Sequence, residues 1–129
     1  MLPPVDQEYL QVRAPDHSVS PDGGMINVVI PSFALPSGFT LTEVDLLLRL
    51  SSGYPDVAPD MWWFEPAVRR TDGQTIAATD SQEIYLGRTW QRWSRHLQPG
   101  QWRPGIDSLE SYVALIRKEL FTAAMARAA

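Results

Sequence analysis

One strongly amphipathic stretch in the last quarter of the chain decides which class of fold is open to the rest. Leu109, Tyr112, Val113, Leu115, Ile116 and Leu120 share one helical face, with Arg117, Lys118 and Glu119 mostly off it. Asp107 and Glu110 stand just ahead of that run at the spacing of a capping box. The pattern predicts a helix over 106–126, whose Ala-rich end, Phe121 to Ala129, extends it and then frays. The chain before residue 67 reads mainly as strands. His17 to Ser20 and Met25 to Ile30 flank the turn Pro21-Asp22-Gly23-Gly24 and predict a hairpin closed by Pro31. Ser32 to Thr42, with Pro36, Ser37 and Gly38, predicts a loop, and Val44 to Leu50 is an apolar run of buried-strand length. Met61 to Phe64 predicts an aromatic fourth strand ended by Pro66, with one of Trp62 and Trp63 in the core and the other exposed. Strands followed by a helix imply an α+β fold with a four-stranded antiparallel meander. Pro3-Pro4 opens a short N-terminal helix within residues 1–14, ended by Pro15.

From Ala67 to Pro104 there is little periodicity. A span of that length inside a compact domain marks a functional loop region or a short element without a clear pattern, and both are expected here. The expected organisation is one domain over 1–129: helix in 1–14, sheet in 15–66, a long segment in 67–105 and the helix in 106–126.

Composition narrows the chemistry. The chain has no cysteine, which excludes disulfides, thiolate zinc sites and a cysteine nucleophile. Two histidines, His17 and His96, are too few for most metal sites, so no metal or other cofactor is expected. The net charge of -4 argues against nucleic-acid binding, despite the local arginines Arg88, Arg92, Arg95 and Arg103. No apolar stretch reaches membrane-span length, and Met1 to Asp6 lacks the regions of a signal peptide, so a cytoplasmic protein is expected.

Three landmarks along the chain fall in an informative order. Tyr54-Pro55-Asp56-Val57-Ala58-Pro59 resembles the Tyr-Pro-x-x-Pro-Pro of ubiquitin-conjugating enzymes, and Trp102-Arg103-Pro104 resembles their Trp-x-Pro before a helix. Those enzymes keep a catalytic cysteine eight residues before that tryptophan, and Ser94 stands eight before Trp102. The resemblance covers roughly residues 20 to 120 and implies the ubiquitin-conjugating fold. Within that superfamily, Trp90 to His96, containing Trp93-Ser94-Arg95-His96, resembles the bacterial branch called family E. Relatives of that branch are encoded beside ThiF-type activating enzymes, ubiquitin-like proteins and JAB-type metallopeptidases, which implies a bacterial conjugation pathway and a role in phage defence. Two departures stand out: serine replaces cysteine, and Leu86 occupies the position of the asparagine that helps stabilise the oxyanion in eukaryotic relatives.

If Ser94 receives the acyl group of a ubiquitin-like protein, its hydroxyl needs a base, because it is almost wholly un-ionised at neutral pH. His96 is the candidate: in an extended segment, residues two apart point to the same side. Arg95, Arg92 and Arg88 are candidate donors to the oxyanion. Trp102 and Pro104 are expected at the rim of the site. ATP would be used by the activating partner rather than by this chain. The rival reading is an inactive variant that binds a ubiquitin-like protein or the activating enzyme as a scaffold.

Overall fold

The computed structural model describes residues 2–127. In chain order they form helix α1 (Pro4–Arg13), strands β1 (Ser18–Asp22), β2 (Met25–Ala34), β3 (Glu43–Leu50), β4 (Trp62–Glu65), β5 (Ser81–Tyr85) and β6 (Arg88–Trp93), and helix α2 (Leu109–Met125). The fold is α+β. The strands make one antiparallel sheet in the order β1-β2-β3-β4-β6-β5. The first four strands follow one another as the expected meander, but a four-stranded sheet falls short by the hairpin β5–β6, which lies inside the segment that showed no period. The reason is local. Leu86 and Gly87 form its two-residue turn, both with positive φ (57° and 71°), where Asn-Gly is the usual signal. Leu86 accepts the left-handed backbone while its side chain packs against the cluster of Trp63 and Trp90.

Residues paired across strands share a face, and the pairs Trp62 with Trp93 and Phe64 with Gln91 look toward the helices. On that face Val28, Ile30, Leu46, Leu48, Trp62, Phe64 and Trp93 receive Leu10 of α1 and Leu109, Tyr112, Val113, Ile116 and Leu120 of α2. Each large apolar side chain so buried contributes roughly 1.5–3 kcal/mol. The opposite face carries a smaller cluster of Val29, Leu47, Trp63 and Trp90. Trp62 and Trp63 are therefore both buried, on opposite faces, and the expected exposure of one of them does not occur. The unforeseen hairpin explains it: Tyr85 of β5 meets Trp63 edge-on at 5.7 Å, and Glu83 takes its indole N–H at 2.8 Å.

Both ends of α2 are held by distant residues. Asp6 of α1, 1% exposed, accepts the N–H of Leu109 at 2.9 Å and the Tyr54 hydroxyl at 2.6 Å, so one carboxylate joins α1, the β3–β4 connection and the start of α2. The cap is Ser108, whose N–H donates to Ser111 Oγ at 2.9 Å. The expected box of Asp107 and Glu110 is thus one residue early, because Asp107 is engaged in the preceding turn, accepting Arg103 N–H at 2.8 Å. At the other end Arg70, paired with Asp72, donates to the carbonyls of Ala123 (3.0 Å) and Ala126, where a cation also opposes the helix dipole. Gly38, at φ +106°, lets its loop approach Ala124: an added Cβ would stand 3.1 Å from that side chain. The fraying expected toward Ala129 falls in part on residues 128 and 129, outside the described residues. No helix among the described residues is long and apolar enough to cross a membrane.

Candidate functional site

Strand β6 delivers its last residue, Trp93, into the core, with the indole N–H on Gln91 at 3.0 Å and the ring stacked on Trp62 at 6.2 Å between centroids. The following residue, Ser94, emerges half-buried at the end of the sheet. Its N–H donates to the Ala78 carbonyl at 3.0 Å, which ties it to the long β4–β5 connection. Its hydroxyl oxygen accepts Arg92 Nε–H at 3.0 Å. The same guanidinium bonds Glu83 at 3.1 Å and Ser81 at 3.3 Å, so three bonds engage a group with five N–H donors. A charge-assisted bond received at Oγ polarises the hydroxyl and favours negative charge on that oxygen.

His96 goes elsewhere. Its Nδ1 is 2.7 Å from Asp60 Oδ1, and more than half of each side chain is exposed. The backbone bond from Met61 N–H to the Arg95 carbonyl, 3.2 Å, zips the two segments together beside this pair. Among the described residues no hydrogen bond joins Ser94 to His96. The chain turns tightly at Ser94, Arg95 N–H donating to the Trp93 carbonyl at 3.0 Å, so the same-side geometry of an extended strand ends there. Arg95 faces α2: it donates to the Ala77 carbonyl at 2.9 Å, lies over the Trp93 ring at 4.9 Å and approaches Glu119 at 3.8 Å. Burial pulls its guanidinium below the ordinary value, partly offset by Glu119.

Arg88 opens β6, six residues before Ser94, which at strand rise is ~20 Å away. There it bonds Asp45 at 2.7 Å and also Glu65, two carboxylates placed directly opposite by the β3–β4 register. Burial pulls the Arg88 guanidinium down, but the bonds to both acids outweigh it and hold the group above its ordinary value. Leu86 lies in the β5–β6 turn, also beyond the far end of β6 from Ser94. The structure brings neither Leu86 nor Arg88 to the serine. Trp102 donates its indole N–H to the Pro55 carbonyl at 2.8 Å and packs on Tyr54, ring centroids 6.0 Å apart. The Tyr-Pro and Trp-x-Pro landmarks thus touch, and Pro104 is exposed in the turn that leads to α2.

A cleft of about 220 Å³ runs between the 95–101 segment and α2, lined by Arg95, His96, Gln98, Tyr112, Leu115 and Glu119. Tyr112, one of its lining residues, donates to the Met61 carbonyl at 2.9 Å; burial and then the nearby Asp60 charge push its phenol well above the ordinary value. A second cavity of about 400 Å³ has Val68, Arg70, Thr79, Asp80 and Gln91 in its walls, and Thr79 follows the Ala78 bonded to Ser94. Sequence reasoning missed Asp60 and Glu83. Nothing in the order of residues pairs position 60 with 96, and Glu83 is reached only through the hairpin. Among the described residues no group of three or more His, Asp or Glu side chains is able to hold a metal ion.

No curated protein and no solved structure matches the chain. A family model described as prokaryotic E2 family E matches residues 2–123. With nearly the whole described chain inside that match, and the Tyr54-Pro55 and Trp102 landmarks packed together beside α2, the chain belongs to the prokaryotic E2 family E.

Proposed function

We propose that this protein carries the C-terminal acyl group of a ubiquitin-like protein as an oxyester on Ser94, receiving it from a ThiF-type activating enzyme and passing it to an acceptor. Membership in an E2-like family supports a role in ubiquitin-like conjugation, as a transferase that meets a ubiquitin-like protein and an activating enzyme. The observation that carries the finer reading is the bond from Arg92 Nε–H to Ser94 Oγ. In loading, Ser94 Oγ attacks the activated carbonyl, the new C–O bond forms, and the bond to the activating enzyme's leaving group breaks. The hydroxyl proton departs with that group or to water. The donors of Arg92 not used by Ser94, Glu83 and Ser81 are the proposed donors to the oxyanion, a role worth roughly 3–4 kcal/mol for one well-placed group. ATP is consumed by the activating enzyme, and no cofactor is assigned to this chain.

An oxyester is less electrophilic toward amines than a thioester, so the carrier is slow and depends on a positioned acceptor. A specific observation favours the scaffold reading instead: the backbone N–H groups of Ser94 and Arg95 are already spent on Ala78 and Trp93 and cannot serve an oxyanion. One experiment separates the two. The protein is incubated with a ThiF-type activating enzyme, its ubiquitin-like protein and ATP. A carrier gains an adduct that survives reducing agent, is cleaved by alkali and is absent in Ser94→Ala. A wild-type protein that binds the activating enzyme but gains no mass is the scaffold.

A further inference from the structure

We infer that Asp60 is a positioning residue that fixes His96 as the base for the incoming acceptor, a primary amine, in the second half of the reaction. The inference rests on the ester-carrier reading of Ser94. Two groups could share the proton work at this site, and the geometry separates them. Ser94 has Arg92 on its oxygen, whereas His96 is directed by Asp60, 36 residues away in sequence.

Asp60 Oδ1 is an acceptor, so its partner at 2.7 Å is an Nδ1–H, and in the neutral form of the ring this tautomer leaves the lone pair on Nε2. An exposed histidine without such a partner would populate both tautomers and several rotamers. The pair is too exposed to be explained by stability, since surface ion pairs contribute about 0–1 kcal/mol. The backbone bond between Met61 and Arg95 already joins these segments without it. His96 also lines the cleft of about 220 Å³ between the 95–101 segment and α2. The cleft suits an amine on a flexible stem: Leu115 and Tyr112 provide apolar wall, and Gln98 and the Glu119 carboxylate provide acceptors for its N–H groups. Glu119 is held only loosely by Arg95, at 3.8 Å.

The step balances without a further reactant. The neutral amine nitrogen attacks the ester carbonyl, the C–N bond forms, and His96 Nε2 takes one proton from nitrogen. The C–O bond to Ser94 then breaks, and the proton taken up by His96 reaches the departing oxygen by way of water, restoring the hydroxyl and the neutral imidazole. Asp60 keeps the imidazole oriented and stabilises it while it is charged, without being protonated itself.

The Ser94 adduct, isolated from the loading reaction, is chased with free L-lysine in single-turnover conditions. Asp60→Asn is expected to load to the wild-type extent and to discharge about 10- to 100-fold more slowly, short of the full 10²–10⁴ that a general base supplies. Asp60→Glu should recover part of the loss, and His96→Gln should discharge at least as slowly as Asp60→Asn. Nitrogen-15 NMR of the imidazole supplies a reading independent of turnover: the Nδ1–H tautomer should dominate in the neutral wild type and give way to Nε2–H in Asp60→Ala, which retains no acceptor. Loaded Asp60→Asn that discharges at the wild-type rate, or an unchanged tautomer in Asp60→Ala, overturns the role of Asp60 and leaves the carrier intact. A wild-type protein that never loads removes the carrier itself and the dyad's role with it.

Discussion

Two aspartates each grip a titratable partner in this molecule, and their surroundings assign them opposite work. Asp6 is 1% exposed and joins three elements through the Tyr54 hydroxyl and the N–H of Leu109. Asp60 holds His96 over a similar distance, 2.7 Å against 2.6 Å, yet its side chain is 59% exposed and joins two loops. The bond lengths do not distinguish them; solvent does. In the interior, each partner deprived of Asp6 is left with an unmet polar group, so the bond is a structural requirement. At the surface, water can replace Asp60, so the bond adds little stability and mainly fixes a direction. Burial makes a clamp of the first pair, and exposure leaves the second open to water.

The largest effect should come from breaking the buried member. Asp6→Ala strands the Tyr54 hydroxyl and the first N–H of α2 together, and is expected to cost about 2–4 kcal/mol in urea unfolding. Asp6→Asn, which retains an acceptor oxygen, should cost less. The buried side of the comparison also has a pH signature. Burial first, and then the bond to and charge of Asp6, push the Tyr54 phenol well above its ordinary value of 10.0, and Tyr112 is raised as well. Each holds its proton more tightly folded than unfolded. Their contribution is therefore complete below pH 10.0 and is lost as pH rises through the interval between the unfolded and folded values. Unfolding free energy measured from about pH 9 to about pH 11 should fall by about 1.4 kcal/mol per unit for each tyrosine once above 10. Tyr54→Phe should halve that slope. A flat profile would mean that neither phenol is held as the structure places it.

The parts of this fold that were legible in the sequence are those where side-chain period and burial agree. The spacing of Leu109, Tyr112, Val113, Ile116 and Leu120 located α2, and all five are buried on the sheet. The sequence places its cap one residue early because Asp107, a good capping residue by type, is consumed by the turn from Arg103. The hairpin β5–β6 was hidden twice. Leu86 occupies a left-handed turn position that Leu rarely takes, and the core-facing Gln91 is polar because it bonds the backbone of Val68 at 2.8 Å and 3.1 Å. At the candidate site the same-side rule is sound but stops one step sooner than expected. It links Arg92 to Ser94, where β6 is still extended into its last residue, and fails from Ser94 to His96, where the chain turns. Asp60 carried no sequence signal, since only the meeting of the β4 approach with the segment after β6 brings it to His96.

The smallest expected change sharpens the comparison most. Asp60→Asn should alter urea stability by no more than about 0.5 kcal/mol, because both side chains of the pair remain hydrated with or without it. The backbone bond between Met61 and Arg95 and the burial of Trp62 and Trp93 stay in place in that variant. A loss comparable to that of Asp6→Ala would make the surface aspartate a second clamp, and any slowing of discharge would then be a folding effect. Unchanged stability with slowed discharge instead separates the two aspartates by function: the same acid and nearly the same bond length, with access to water deciding which one holds the fold and which one directs a proton.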